Sequence, residues 1–244
     1  MKRIVEFRNA KLGYGKRVVF DSLSLSIFEG DFLGIVGPNG SGKTTLLRGI
    51  IGLLKPRDGE IIKDRDLRFG YCMQRQFIDT LFPFTVFEIV MMARTKIIGP
   101  FKKPRSIDKD KVSEALEITG IQDLASQPFY NLSGGQKQRT IIARALSIEP
   151  NFLILDEPTA DLDIKAEREI MELIKTLHLS QKLTVVLVTH ELNEVINYAQ
   201  KFIFLDSKMP SRIIAKQDLN EDLLSEIFQT RIKLKDLDGK QIVI

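Results

Sequence analysis

Short apolar runs alternate along the chain with apolar stripes at helical spacing. Phe32, Leu33, Ile35 and Val36 make a wholly apolar run, the pattern of a strand buried on both faces. Leu46, Leu47, Ile50, Ile51 and Leu54 follow it at helix periodicity. Upstream, residues 4–7, 18–19 and 23–27 read as short strands, with turns at 13–15 and 29–31. Leu23, Leu25 and Ile27 alternate with serines, so one face of that strand is wet. Residues 60–62 and 67–73 read as strands after a turn at 55–59. Thr85 and Glu88 stand at capping-box spacing and open a helix that reaches about Arg94. Residues 94–111 are basic, broken by Gly99, Pro100 and Pro104, and read as a surface loop. That loop is either a plain solvated face or one lying against anionic headgroups.

Val112, Ala115, Leu116 and Thr119 form a further helical stripe that Gly120 stops. Ile141, Ile142, Ala145 and Leu146 mark a helix with Ser133 as its natural N-cap. Residues 152–155 are a buried strand type, and Ile170, Leu173, Ile174 and Leu177 mark an amphipathic helix. A strand at 183–188, a helix with Leu192, Val195, Ile196 and Ala199, and a strand at 202–205 continue the alternation. Strand–helix alternation of this kind implies parallel βαβ units. The tail reads as a strand, a helix capped by Asn220, and a hairpin around Asp238 and Gly239.

Bulk composition narrows the class. With 244 residues, 43% apolar and 28% charged, the chain suits one large or two small globular domains. No apolar run approaches the roughly 20 residues of a membrane span, and the first residues lack a signal-peptide apolar stretch. The single cysteine, Cys72, rules out an internal disulfide framework and sits in an apolar run as a buried thiol would. A net charge of +4 is too mild to argue for nucleic acid.

The chemistry begins where the buried strand meets its helix. Gly37, Pro38, Asn39, Gly40, Ser41, Gly42, Lys43, Thr44 and Thr45 read as G-x-x-x-x-G-K-[ST], a phosphate-binding loop. Glycines let backbone N–H groups converge on phosphate oxygens, and the helix start adds partial positive charge. Lys43 can reach the β- and γ-phosphates, and the Thr44 hydroxyl can ligate Mg²⁺. Ser133 opens a second glycine-bearing helix start suited to an anion. Asp156 and Glu157 are adjacent carboxylates at the carboxyl end of an apolar strand, where ligands bind in parallel sheets. Tyr14, between two glycines, either stacks on a base or packs sideways on its turn.

Five elements in fixed order then resemble a known family. The phosphate loop, Gln74, the run Leu132-Ser133-Gly134-Gly135-Gln136, the pair Asp156-Glu157, and His190 resemble the nucleotide-binding subunit of ATP-binding-cassette (ABC) transporters, over residues 3–230. The resemblance implies an α/β P-loop ATPase with a RecA-like parallel-sheet core, an N-terminal antiparallel β-subdomain and an inserted α-helical subdomain. It implies one domain, 1–244, in which 1–76 and 137–244 form the β-subdomain and core and 77–136 the helical part. It implies that Tyr14 stacks on adenine and Val19 touches base or ribose, and that Asp156 holds Mg²⁺ with Thr44 and Gln74. Glu157 would be the general base, His190 the γ-phosphate contact and Asp163 a dimer-interface residue. Ser133, Gly134, Gly135 and Gln136 would act on the ATP of a second copy in a head-to-tail dimer.

The resemblance further implies transmembrane permease subunits, indirectly a solute-binding protein, no nucleic acid, and a peripheral place on the cytoplasmic face of the membrane. Residues 76–94 resemble importers of zinc or manganese, with siderophore and cobalamin importers as near relatives. Phe77, Ile78, Leu81, Phe82 and Phe84 are either contacts for the permease or core residues. A soluble iron–sulfur scaffold ATPase is the alternative without a membrane partner. A P-loop kinase has no account of residues 132–136, and exporter cassettes are often fused to membrane helices. Two departures stand out: only 31 positions separate Lys43 from Gln74, and Asp161 stands where a small residue is usual.

Overall fold

The computed structural model describes residues 1–73, 83–205, 213–237 and 239–244. The chain divides into two compact units, Met1–Leu67 with Thr184–Ile244, and Arg68–Leu183. No described helix is long and apolar enough to cross a membrane.

In the first unit, β1 (Arg3–Tyr14) and β2 (Arg17–Phe28) form one long antiparallel hairpin, closed where Tyr14 faces Arg17. The short strands expected here are therefore parts of two twelve-residue strands. Polar residues interrupt the apolar pattern at register shifts beside Asn9, which takes a left-handed φ of 46°. A bulge of this kind bends a strand without ending it. After β3 (Phe32–Val36) and α1 (Lys43–Ile51), β4 (Asp58–Lys63) pairs with the other edge of β1. Leu23, Leu25 and Ile27 are buried and the serines between them are not, as the alternation predicts. Helix α1 comes close through Gly49, where a Cβ would lie 3.1 Å from the Phe7 ring. Strand β3 is buried throughout and runs parallel to β7 (Thr184–Thr189) on one side and β8 (Lys201–Phe204) on the other. An antiparallel strand, β9 (Ile213–Ala215), flanks β8. The tail forms α8 (Glu221–Phe228), capped by the Asn220 side chain, and the hairpin of β10 (Leu234–Leu237) and β11 (Lys240–Val243).

In the second unit, β5 (Phe69–Cys72) runs parallel to β6 (Phe152–Asp156), with the Phe69 and Phe152 rings 5.1 Å apart. Its helices are α2 (Val86–Met92), α3 (Thr95–Ile98), α4 (Ser106–Ile118), α5 (Gly134–Leu146) and α6 (Ile164–Gln181). Thr85 caps α2 in the expected box: its hydroxyl accepts from the Glu88 N–H, and the Glu88 carboxylate accepts from the Thr85 N–H. Helix α5 lies on β5, and a Cβ on Gly70 would come within 2.9 Å of the Ala145 carbonyl. Beneath it, Cys72 is buried, and burial pushes its thiol up to about 12. A thiol held neutral in this way is inert.

The basic stretch after α2 is not a simple surface loop. Arg94 is only 4% exposed, and Asp108 on α4 is fully buried. Arg94 Nε and Nη2 donate to Asp108 Oδ1 at 3.1 and 2.9 Å, and Nη1 donates to the Ser147 carbonyl beyond α5. The other oxygen, Oδ2, accepts from the Arg105 N–H at 3.0 Å. One guanidinium thus ties the end of α2 to α4 and α5. A charge pattern that reads as solvated conceals the pair, since the partners are fourteen residues apart.

The Arg105 N–H, and then the Arg94 guanidinium, hold the Asp108 carboxyl below the usual carboxylate range, against the opposing effect of burial. Its contribution is therefore complete above its unfolded value of about 4 and is lost as pH falls through the lower folded value. Asp108→Asn is expected to lower the thermal midpoint by roughly several degrees at pH 7. The gap to the parent should stay constant down to about pH 5 and close below about pH 4. Thermal unfolding at stepped pH checks this, and a gap that widens in acid would refute it.

Candidate nucleotide site

The phosphate loop joins β3 to α1 in the first unit. Gly40 and Gly42 have φ of 83° and 103°, values that only glycine adopts without strain. A Cβ on Gly42 would lie 2.8 Å from Val19 Cγ1 and 2.9 Å from the Phe20 ring. A Cβ on Gly37 would lie 2.5 Å from the Leu205 carbonyl. The loop is thus braced by β2 and by the chain after β8, and Val19 is one of its braces. Lys43 is 7% exposed, and its ammonium donates to the Gly37 and Pro38 carbonyls at 2.7 and 3.1 Å. The cation is folded into its own loop. Thr44 is exposed, while Thr45 is buried. Ser41 Oγ is buried and has no hydrogen-bond partner among the described residues. An orphaned hydroxyl in a glycine-rich loop at a helix start fits a phosphate oxygen.

Helix α1 has no side-chain N-cap and no acidic residue in its first turn, so its positive end is uncompensated. Tyr14 is 40% exposed, and the Arg48 guanidinium lies 5.7 Å from its ring centroid and donates to its hydroxyl. The Gly37 N–H donates to the Thr189 carbonyl at 3.4 Å, which joins the loop to the end of β7. His190 follows as an exposed residue, its Nε2 3.7 Å from a Glu191 carboxylate oxygen.

In the second unit, Asp156 ends β6 and is half-buried. The Tyr71 hydroxyl donates to Asp156 Oδ2 at 3.3 Å. The sequence reading missed Tyr71; its only sequence signal is its place in β5, which pairs it with Ile154 two residues before the carboxylate. Glu157 takes a left-handed φ of 49°, as does Asp161 at 63°. Non-glycine residues in that region are strained, and such strain clusters at functional sites. Pro158 and a buried Thr159 complete the turn. Asp163 then caps α6, its carboxylate accepting from the Ala166 N–H at 2.9 Å.

Ser133 caps α5 in a full capping box with Gln136. A Cβ on Gly135 would lie 3.3 Å from Ala166 Cβ, so residues 133–136 sit beside the start of α6 and Asp163. Gln74, with Phe77, Ile78, Leu81 and Phe82, lies outside the described residues; Phe84 is partly exposed. Among the described residues, no group of three or more His, Cys, Asp or Glu converges as a metal cage.

Comparison with known proteins decides the family. The ABC transporter family pattern matches residues 20–160. The chain belongs to the ABC transporter family. It is 36% identical to the zinc uptake system ATP-binding protein ZurA of Listeria monocytogenes, over 86% of this chain and 85% of that protein. It is 38% identical to the manganese transport system ATP-binding protein MntB of Bacillus subtilis, over 82% of each. A solved ABC transporter of the metal-chelate type, in an inward-facing conformation, superposes with a TM-score of 0.90 and 30% identity, over 100% of this chain and 96% of that one. The fold is that of an ABC ATPase cassette, α/β with parallel and antiparallel strands, as the motif order implied.

Within an ABC cassette the Gly42 geometry is a sharp constraint. Gly42→Ala adds a methyl at a left-handed position, at a cost of about 1–2 kcal/mol before any clash. It is expected to weaken ATP binding by at least about tenfold. Pairing it with Val19→Ala should relieve the clash but not the backbone strain, and so restore only part of the loss. Titration of the purified variants with labelled ATP checks this; full restoration by Val19→Ala would remove backbone strain from the account.

Proposed function

We propose that this ABC ATPase powers a membrane importer for a transition-metal ion, zinc or manganese. The observation that carries the reading is the likeness to the zinc and manganese system subunits, which extends over most of each chain. The metal-chelate transporter favours a second reading, import of a siderophore or cobalamin. The cassette would work as one domain, with residues 77–136 as its helical part, on the cytoplasmic face of the membrane. Its partners would be permease subunits, a second copy of itself and, indirectly, a solute-binding protein.

On this reading Tyr14 and Val19 receive the adenosine end of ATP, and residues 37–45 wrap its phosphates. Lys43 leaves its own carbonyls for the β- and γ-phosphates, and Ser41 gains the acceptor or donor it lacks. Asp156, Thr44 and Gln74 would hold Mg²⁺, which when bound neutralises charge on the β- and γ-oxygens. One carboxylate with neutral oxygen donors suits that ion, which keeps waters and phosphate oxygens as its other ligands. The Tyr71 hydroxyl donates to Oδ2 of Asp156 and so orients that carboxylate. Glu157 takes a proton from the attacking water, and His190 steadies the γ-phosphate as the bond to the leaving oxygen breaks. Ser133 and Gly135 of the second copy supply further donors, so ATP holds two subunits together and hydrolysis releases them.

Glu157→Gln keeps the shape and removes the base. Turnover should fall by roughly 10²–10³-fold, within the range of general-base contributions. ATP binding should persist, and ATP should convert the variant to a dimer visible by light scattering. Retained turnover would take the base role from Glu157. For the transport reading, the chain is captured from gently solubilised native membranes and its co-purifying proteins are identified by mass spectrometry. Cells lacking the chain are then assayed for radiolabelled zinc and manganese uptake. A multi-span protein in the capture and loss of one uptake are expected; reproducible recovery of soluble partners alone would overturn the reading.

A further inference from the structure

The C-terminal hairpin is bound to the segment next to His190 by two side chains that mimic a strand edge. Asn193 lies on α7 (Leu192–Val195), and Asn197 lies in the turn that continues it. Asn193 Oδ1 accepts from the Val243 N–H at 2.8 Å, and its Nδ2 donates to the Val243 carbonyl at 3.0 Å. Asn197 repeats the pattern on Gln241, accepting from its N–H and donating to its carbonyl, both at 2.9 Å. Four hydrogen bonds thus join two amides, four residues apart, to alternate residues of β11. That spacing puts both amides on one side of a helical turn, and residues two apart in a strand face the same way. Only asparagine or glutamine offers a donor and an acceptor side by side in this fashion.

The opposite side of α7 is held just as closely. Val195 presses on β3 at Gly34, where a Cβ would lie 3.0 Å from Val195 Cγ2. At the near end, the Thr189 hydroxyl donates to the Glu194 carboxylate and accepts from the Glu191 N–H. The Thr189 carbonyl in turn accepts from the Gly37 N–H at the start of the phosphate loop. A continuous set of contacts therefore runs from β11 through α7 and Thr189 to the loop, and His190 is the residue that follows Thr189.

We propose that Asn193 and Asn197 are positioning residues that lock α7 to the C-terminal hairpin and so fix His190 against the phosphate loop. Their side chains bond the backbone of β11, and they act through the segment 189–197. The proposal rests on the assignment of His190 to the γ-phosphate. A clamp of this kind sets turnover more than ATP affinity, since a displaced catalytic group is felt mainly in the transition state.

The test uses the full chain. In Asn193→Ala/Asn197→Ala, ATP affinity should stay within about twofold while kcat falls on the order of tenfold. Hydrogen exchange should accelerate over residues 189–199 and 240–244 but not in α1. Val243→Pro removes the N–H that Asn193 accepts from and leaves α7 untouched; it should lower kcat in the same direction. Parental kcat in both variants, with the hairpin amides exchanging freely, would overturn the clamp. His190→Ala separates the two assignments. If it slows turnover and the asparagine variants do not, the clamp alone falls. If the asparagine variants slow turnover and His190→Ala does not, the γ-phosphate role of His190 falls, and the proposal that the asparagines act by fixing His190 falls with it.

Discussion

A phosphate can be surrounded by backbone N–H groups only if the chain turns so tightly that side chains are excluded from the inside of the turn. That constraint organises the first unit. Gly42, at φ 103°, has Val19 and Phe20 filling the space where its side chain would be. The long β1–β2 hairpin exists in part to bring those residues there. Strand β3, buried along its whole length between β7 and β8, anchors the near end of the loop, and α1 anchors the far end. Lys43 shows how tightly the loop is wound. Its ammonium turns inward onto two carbonyls, because a nearly buried cation must be paired with something.

What was legible in the sequence divides by range of interaction. Features written in neighbouring residues were readable: the Thr85–Glu88 box, the Asn220 cap, the tail hairpin, and the carboxylates ending an apolar strand. Each depends on contacts within a few positions, where geometry follows from the backbone alone. The family was readable because its motifs are runs of neighbouring residues in a fixed order, and the family pattern matches residues 20–160. Tyr71 was not, since its bond to Asp156 depends on the register of β5 against β6, and register is a tertiary property. Arg94 and Asp108 were hidden for a further reason. In a segment with Lys96, Lys102, Lys103 and Arg105, nothing local distinguishes the one arginine that turns inward. Asn193 and Asn197 were equally silent, because their partners are backbone atoms some fifty and forty-four residues away.

The buried arginine also clarifies why the helical part of the second unit holds together. Helices α2 and α4 are short or modestly apolar, and α3 buries none of its residues. Apolar contact alone gives such pieces little orientation. A planar guanidinium with five donors bonds one carboxylate oxygen and one helix-end carbonyl at fixed angles. That carboxylate also receives the Arg105 N–H just before α4. The pair is better understood as setting where the helices sit than as adding much net stability, since burying ions costs most of what their attraction returns.

Three helix starts carry residues that the family resemblance implicates, and their end charges differ. Helix α6 begins with Asp163 as its cap and Glu167 in its first turn, so its positive end is met by carboxylates of its own. Helix α5 is capped by the neutral pair Ser133 and Gln136 and has no acid in its first turn. Helix α1 has neither cap nor acid. A helix end already neutralised has little to offer an anion, whereas an end satisfied only by neutral groups, or by none, retains its partial charge. The division follows function as the motifs assign it. The two starts expected to meet phosphate, at residues 42–45 and 133–136, are the two left without a carboxylate. The start expected to meet protein, at Asp163, supplies its own. Capping chemistry, ordinarily a matter of a kcal/mol or so of local stability, thus sets the start of α6 apart from those of α1 and α5.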